Sequence, residues 1–248
     1  MTEAALPADR FAAGELRLDR VFARTWSVLS RNFLTFFAVT AIASLPKHLN
    51  GRIDGPDDWP LVLLLIGFGV FLWVVLNTLS QAIVLYGAFQ DMRGRPVDMV
   101  ASVQVGLRRF FPVIGVAVAV TLLGFLGLVA FIVPGVIAFT RWFVAIPVCV
   151  VEGRGVFSSL ARSALLTKGH RWNIFGLMAV LYVVDSIVDS QIDQTLSLVA
   201  GGTVALAAHV TWSGIWGAFY AIFAVVTYHD LRVAREGIDT EEIAAVFE

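Results

Sequence analysis

Three charged residues interrupt long apolar stretches of the sequence: Arg141, Asp185 and Asp189. A charge within an apolar segment is costly and usually faces other protein groups or water. Asp185 and Asp189 are one helical turn apart and share a helix face, and a rise of about 1.5 Å per residue places them at the depth of Arg141. We predict an Arg141–Asp185 pair, with Asp189 close by. Such a cluster suits a proton or ion relay, a headgroup pocket or a structural ion pair, and simple surface exposure is the alternative for Asp189.

A second set of residues combines positive charge with aromatic neighbours. Residues 21–31, 100–109 and 156–168 are amphipathic, with apolar residues three or four apart, and each runs into basic and aromatic residues before a long apolar stretch. Such residues suit the headgroup level of a membrane. One interpretation is that these three segments form a collar on the cytoplasmic side, which binds anionic lipids or a partner. The other is that their arginines only fix the orientation of the protein in the membrane. The candidate headgroup residues are Arg31, Arg108, Arg109, Arg162, Lys168 and Arg171.

The sequence contains no nucleotide-binding glycine loop and no nucleophile elbow. We expect no enzymatic activity, no cofactor, no metal site and no nucleic-acid partner. His209 is expected to approach Asp189 or Asp193, which alone makes a weak case for a metal ion. Glu152 is expected to meet Arg154, Arg162 or Lys168.

Composition indicates the elements that must position these residues. Hydrophobic residues make up 58% of the 248, and charged residues only 15%, against about 25% in a soluble domain. Apolar stretches long enough to cross a bilayer predict about six spans. They lie near 32–49, 59–86, 111–133, 135–151, 172–189 and 209–231. We expect 195–208 to be a re-entrant or interfacial piece, or an early start of the last span.

The predicted fold class is all-α, a polytopic transmembrane helical bundle of about six spans in three hairpins, with amphipathic interfacial helices. We expect a cytoplasmic N-terminal segment at 1–31, a transmembrane domain at 32–231 and a cytoplasmic tail at 232–248. Apart from Lys47, Arg52 and Arg141, every Lys and Arg falls on one side of this arrangement. By the positive-inside rule, both termini are then cytoplasmic.

One region resembles a known family. Pro134-Gly135, Arg141, Pro147, Glu152 and the run Ala161-Arg162-Ser163 resemble the membrane domain found in some bacterial glycerophosphoryl diester phosphodiesterases, as does the ending Tyr228-His229-Asp230-Leu231-Arg232. The resemblance implies a bacterial inner-membrane module. Because only 17 residues follow Leu231, we expect no catalytic barrel.

The sequence therefore favours a non-enzymatic inner-membrane scaffold or accessory module in lipid or envelope processes. Its expected partners are membrane lipids, together with a membrane-protein partner or a second copy of the chain. The alternative is a transporter or channel that uses the Arg141/Asp185 pair.

Overall fold

The computed structural model describes residues 18–50, 59–199 and 202–236, and all its regular secondary structure there is helical. The predicted all-α helical bundle is confirmed. The helices are α1 (Leu18–Arg31), α2 (Phe33–Asn50), α3 (Trp59–Met92), α4 (Met99–Ala130), α5 (Ile132–Arg141), α6 (Ala145–Val151), α7 (Val156–Leu166), α8 (Arg171–Val199) and α9 (Gly202–Glu236).

Five helical stretches are long and apolar enough to cross a membrane. A sixth is formed by α1 and α2 if this pair, bent by 90°, counts as one span. Since α2 alone has 18 residues, it is near the lower limit for a span. The five stretches are Leu61–Met92, Met99–Ala130, Ile132–Val151, Arg171–Thr195 and Thr203–Glu236.

The partners of the three expected hairpins are in contact, α2 with α3, α4 with α5, and α8 with α9. α2 packs as closely against α9, and α3 against α4, so the hairpins are not separate units. The bundle is centred on α9, whose residues 221–228 are all buried. At Gly214, an added Cβ would lie 2.9 Å from side-chain atoms of Phe37 and Ala41. The missing side chain therefore lets α2 approach α9 closely enough for the Thr40 hydroxyl to donate to the Gly214 carbonyl at 2.6 Å.

The bend between α4 and α5 differs slightly from the turn expected at Pro134-Gly135. The chain leaves the helix at Phe131, whose backbone is extended, and Pro134 lies in the first turn of α5. Proline is tolerated there because the first backbone N–H groups of a helix have no partner within it. Gly127 and Gly135 then meet across the hairpin, where a Cβ on Gly127 would lie 2.9 Å from Gly135 Cα.

Two of the three amphipathic segments form separate helices, α1 and α7. The segment at 100–109 instead forms the first turns of α4, which is continuous from Met99. Asp98 caps this helix by accepting a hydrogen bond from the Ala101 N–H at 3.0 Å. Gly106 packs against Ile83 of α3, so these turns extend the α3–α4 hairpin and do not lie across it.

The expected fourth span is broken, because residues 142–144 form a turn between α5 and α6. The ambiguous segment at 195–208 continues α8 to Val199 and starts α9 at Gly202. The early start of the last span is thus the alternative that the structure supports, and residues 200–201 lie outside the described ranges. The predicted terminal segments fall largely on residues 1–17 and 237–248, which also lie outside them.

Candidate functional site

The basic side chains gather at one end of the bundle, which we call the basic end. It comprises α1, the end of α3, the start of α4, the α6–α7 connection, α7, the start of α8 and the last turns of α9. Arg24 of α1 lies 3.7 Å from Asp230 of α9, and the Arg235 guanidinium donates to the Lys168 carbonyl at 3.2 Å. These contacts hold the two short helices against the end of α9, and so the collar is part of the folded bundle.

Glu152 is the centre of an ion-pair network at the basic end. Its carboxylate accepts hydrogen bonds from Arg154 Nε at 2.5 Å, from Arg162 Nε at 3.1 Å and from the Tyr228 hydroxyl at 3.0 Å. The predicted contacts with Arg154 and Arg162 are confirmed. The bond from Tyr228 was not predicted, because Tyr228 lies 76 residues further along the chain.

Glu236 extends this network to the end of α9. It pairs with Arg162, and its second oxygen accepts from Arg232 Nε at 2.8 Å. Arg162 is thus held between two carboxylates, on α9 and on the α6–α7 connection. Its charge is balanced within the protein and little of it remains for a lipid phosphate.

The network also sets the ionisation of Glu152. Burial alone would raise the pKa of this carboxyl, but hydrogen bonds from Arg154, Arg162 and Tyr228 outweigh burial and lower the pKa below its ordinary value. Glu152 is therefore a fixed negative charge at neutral pH, and it acts as an anchor for the arginines around it.

Two further candidate headgroup residues are also bound by protein groups. Arg31 forms an ion pair with Asp91 at 2.6 Å, and Asn32 Nδ2 donates to the other oxygen of Asp91 at 3.0 Å. Arg109 Nη1 donates to the Gly153 carbonyl at 2.7 Å. Gly153 has a φ of 68°, and a Cβ there would lie 2.4 Å from the Arg109 guanidinium. Glycine is needed here because the backbone angle is positive and because a side chain would collide with the guanidinium.

The other three candidates are placed differently. Arg108 and Lys168 are exposed, and within the described ranges their side chains make no ion pair or hydrogen bond. Arg171 is half-buried, and its Nε has no hydrogen-bond partner in the same part of the chain. Of the six predicted headgroup residues, Arg108 and Lys168 are the ones most open to a ligand.

Large aromatic side chains are also exposed on the helices of the basic end. Trp26 of α1 is 66% exposed, and Phe157 of α7 and Trp172 at the start of α8 are each 82% exposed. On α7, Phe157 and Leu165 lie two turns apart on the outward face, while the opposite face is buried. An apolar outer face next to cations is the pattern of a helix that lies in a membrane interface.

Arg141 does not form the predicted pair with Asp185. Its carbonyl accepts hydrogen bonds from Ser163 Oγ at 3.0 Å and from Thr167 Oγ1 at 3.1 Å. Its side chain is exposed, and no ion pair joins it to another described residue. These contacts hold Arg141 beside the end of α7, just before α8 begins. Asp185 lies 14 residues past Arg171, about 21 Å along the axis of α8. The prediction that Arg141 and Asp185 lie at the same depth is therefore wrong.

Asp185 and Asp189 face α9 at the end of the bundle opposite to the basic end. Asp185 accepts a hydrogen bond from Trp212 Nε1 at 3.0 Å. His209 lies 3.2 Å from Asp189 and 2.9 Å from Asp193, which confirms the approach expected from the sequence. The ring of His48 stacks on His209, with 5.4 Å between their centroids. In the described part of the chain, no group of three or more His, Cys, Asp or Glu side chains is arranged to hold a metal ion.

A polar cavity opens beside these carboxylates, between α2, α3, α8 and α9. Its volume is about 140 Å³, and both Asp185 and Asp189 line it. Lys47 and the rings of Trp73, Trp212 and Trp216 line it as well. The sequence reasoning missed these four, although Trp212 and Trp216 are one helical turn apart. Lys47 had been considered only in the count of cations on each side of the membrane.

No family model matches the chain, and no curated protein or solved structure is detectably similar to it. The resemblance to the phosphodiesterase membrane domain therefore stays a prediction. Several residues that carry it, namely Glu152, Arg162, Tyr228 and Arg232, belong to the one network at the basic end.

Proposed function

We propose that this protein is a non-enzymatic membrane module whose basic end binds anionic lipid headgroups, as a scaffold or accessory protein in lipid or envelope processes. The observation that carries the proposal is the pairing of free cations with exposed aromatics at this end. The side chains of Arg108 and Lys168 make no ion pair or hydrogen bond in the described ranges, and Trp26, Phe157 and Trp172 are exposed at the same end.

The physical argument rests on which cations remain available. Arg31, Arg109 and Arg162 are already bonded to a carboxylate or a carbonyl, and moving them to a phosphate would break those bonds. Arg108 and Lys168 lose nothing when they approach a phosphate. Each such cation contributes roughly 1 kcal/mol of attraction near an anionic membrane surface. The exposed aromatics add apolar contact at the headgroup level.

The proposed orientation has both termini on the cytoplasmic side of a bacterial inner membrane. Its support is the segregation of Lys and Arg along the sequence, since positively charged segments remain on the cytoplasmic side during insertion. The basic end would then face the cytoplasmic leaflet. A membrane-protein partner or a second copy of the chain remains compatible with the exposed apolar faces of α3 and α4.

The test is the affinity of the purified full chain for phosphatidylglycerol, titrated in mild detergent and counted by native mass spectrometry. The variant is Arg108→Gln with Lys168→Gln. We expect roughly thirtyfold weaker binding, because two cations that each contribute about 1 kcal/mol are removed. Lys47→Gln is the control, since it removes a cation from the opposite end. Unchanged phosphatidylglycerol binding by the double variant would contradict the proposal.

A transporter or channel is the alternative function, and it depended on an Arg141–Asp185 pair along one path. The two residues are held by different elements, Arg141 by α7 and Asp185 by Trp212 of α9. The alternative predicts that a cysteine placed at position 140 or 144 reacts with a small aqueous thiol reagent in a Cys149→Ala background. Reaction from the side opposite to the basic end would favour a path through the bundle over our proposal.

A further inference from the structure

The polar cavity between α2, α3, α8 and α9 contains charges of both signs that do not neutralise one another. Lys47 lines it from α2, and Asp185 and Asp189 line it from α8. Within the described residues, no ion pair joins Lys47 to either carboxylate. A cation and two anions thus border the same small space without contact, which is the arrangement that a ligand with both charges would complete.

Asp185 is the carboxylate most available to such a ligand. Its hydrogen-bond partner is the neutral N–H of Trp212, and within the described residues no ion pair balances its charge. Asp189 already lies against His209, at 3.2 Å. Because a partly buried charge that lacks a counter-ion is costly, an ammonium group bound at Asp185 would be favoured.

The aromatic lining selects the kind of cation. The ring of Trp216 stacks between Trp212 and Phe219, with centroids 5.3 and 5.6 Å away, which leaves the outer face of Trp212 open. Trp73 lines the cavity from α3. Tryptophan faces attract organic ammonium groups, and a neighbouring carboxylate strengthens that attraction. At about 140 Å³, the cavity is smaller than the pockets of roughly 300–1,000 Å³ that hold drug-sized ligands. Its size suits a small polar headgroup.

We propose that this cavity binds a zwitterionic ammonium phosphate ester. The ammonium group contacts Asp185 and the tryptophans, and the phosphate contacts Lys47. Two sources share this chemistry: the headgroup of phosphatidylethanolamine, entering from the lipid phase, and free O-phosphoethanolamine, entering from water. The proposal concerns the end opposite to the basic end and does not rest on the proposed function.

The experiment measures the binding of three probes to the purified full chain in detergent by native mass spectrometry. The probes are short-chain phosphatidylethanolamine, phosphatidylglycerol with the same chains, and free O-phosphoethanolamine. In the Arg108→Gln with Lys168→Gln variant, which lacks the free cations of the basic end, we expect phosphatidylethanolamine to bind saturably and at least about tenfold more tightly than phosphatidylglycerol. Tight binding of free O-phosphoethanolamine assigns the source to water, and its failure to bind assigns the source to the membrane.

Two variants locate the site. Asp185→Asn removes the charge but keeps an oxygen that accepts from Trp212, and Lys47→Gln removes a cation that has no protein partner in the described ranges. Each is expected to weaken phosphatidylethanolamine binding at least tenfold. Asp193→Asn is the matched control on the same helix, because Asp193 does not line the cavity, and it should bind as the wild type does.

Three results would overturn the proposal. They are equal affinity for the two lipids in the Arg108→Gln with Lys168→Gln variant, no binding of any amine-bearing probe, and wild-type phosphatidylethanolamine affinity in both Asp185→Asn and Lys47→Gln. If Asp185→Asn fails to fold, Lys47→Gln alone decides. The basic end is tested separately by phosphatidylglycerol binding to Arg108→Gln with Lys168→Gln. Weaker binding supports that proposal, and unchanged binding contradicts it.

Discussion

Charged residues at the two ends of the bundle serve different purposes. At the basic end, Glu152 and Glu236 balance Arg154, Arg162 and Arg232 in a network that ties α7 and α9 together. At the opposite end, Asp185 and Lys47 border one cavity without an ion pair between them. The first arrangement stabilises the fold, and the second leaves charge available for a ligand. The comparison shows that the number of charges at a site says less about binding than whether those charges are already paired.

The largest effect on stability should come from Glu152→Gln. The substitution removes the charge that accepts from two arginines and a tyrosine, and hydrogen bonds to charged groups contribute about 1.5–3 kcal/mol. We expect a loss of about 2–3 kcal/mol, measured as a fall of roughly 4–10 °C in thermal unfolding in detergent. Asp193→Asn at the opposite end, where the side chain is 70% exposed, is the control. An equal fall in both variants would remove the distinction between the two ends.

Tyr228→Phe should have the next largest effect. The ring of Tyr228 is fully buried and its hydroxyl donates to Glu152 at 3.0 Å. Because phenylalanine keeps the packing and loses only this bond, we expect a loss of about 1 kcal/mol, measured in the same unfolding assay. In a Glu152→Gln background the effect should shrink, since the acceptor is then neutral. A full-sized loss in that background would mean that the bond to Glu152 is not the cause.

The stability difference between wild type and Glu152→Gln should depend on pH. The pKa of Glu152 is lower in the folded chain than its ordinary value of 4.5. Its contribution is therefore complete above that value and is lost as pH falls through the lowered pKa. We expect a constant difference between about pH 5 and pH 7 and a narrowing one below pH 4.5. A difference that widens on acidification would contradict this account of Glu152.

The smallest effects on stability should come from cations without a protein partner. Arg108→Gln, Lys168→Gln and Lys47→Gln should each shift the free energy of unfolding by no more than about 0.5 kcal/mol, as surface substitutions do. Thermal unfolding of the three single variants measures this. A loss as large as that of Glu152→Gln in any of them would show that its side chain contributes to the fold.

Most of the fold could be predicted from the sequence, because long apolar segments must satisfy their backbone groups as helices in lipid. Glu152 could also be paired correctly, since Arg154 and Arg162 follow it closely in the chain. The bonds from Tyr228 to Glu152 and from Arg31 to Asp91 join residues 76 and 60 positions apart. No local pattern indicates which distant helices meet, and so these contacts require the tertiary structure.

The predicted Arg141–Asp185 pair was wrong because the depth of the two residues was misjudged. The depth of Arg141 was matched to that of Asp185 on a span predicted to end near residue 189, but α8 continues to Val199. The end of α5 is instead held beside α7, where Ser163 and Thr167 donate to the Arg141 carbonyl. Lys47 was missed for a different reason. It lies in the last turn of α2, and no local pattern indicates that this turn borders a cavity with α3, α8 and α9.

The most direct test of the contrast between the two ends compares two variants on two lipids in one experiment. Phosphatidylglycerol and phosphatidylethanolamine are each titrated against Lys47→Gln and against Arg108→Gln with Lys168→Gln, and bound lipid is counted by native mass spectrometry. We predict that Lys47→Gln loses phosphatidylethanolamine and keeps phosphatidylglycerol, and that the double variant does the reverse. Equal loss of both lipids in both variants, or no loss in either, would contradict the account.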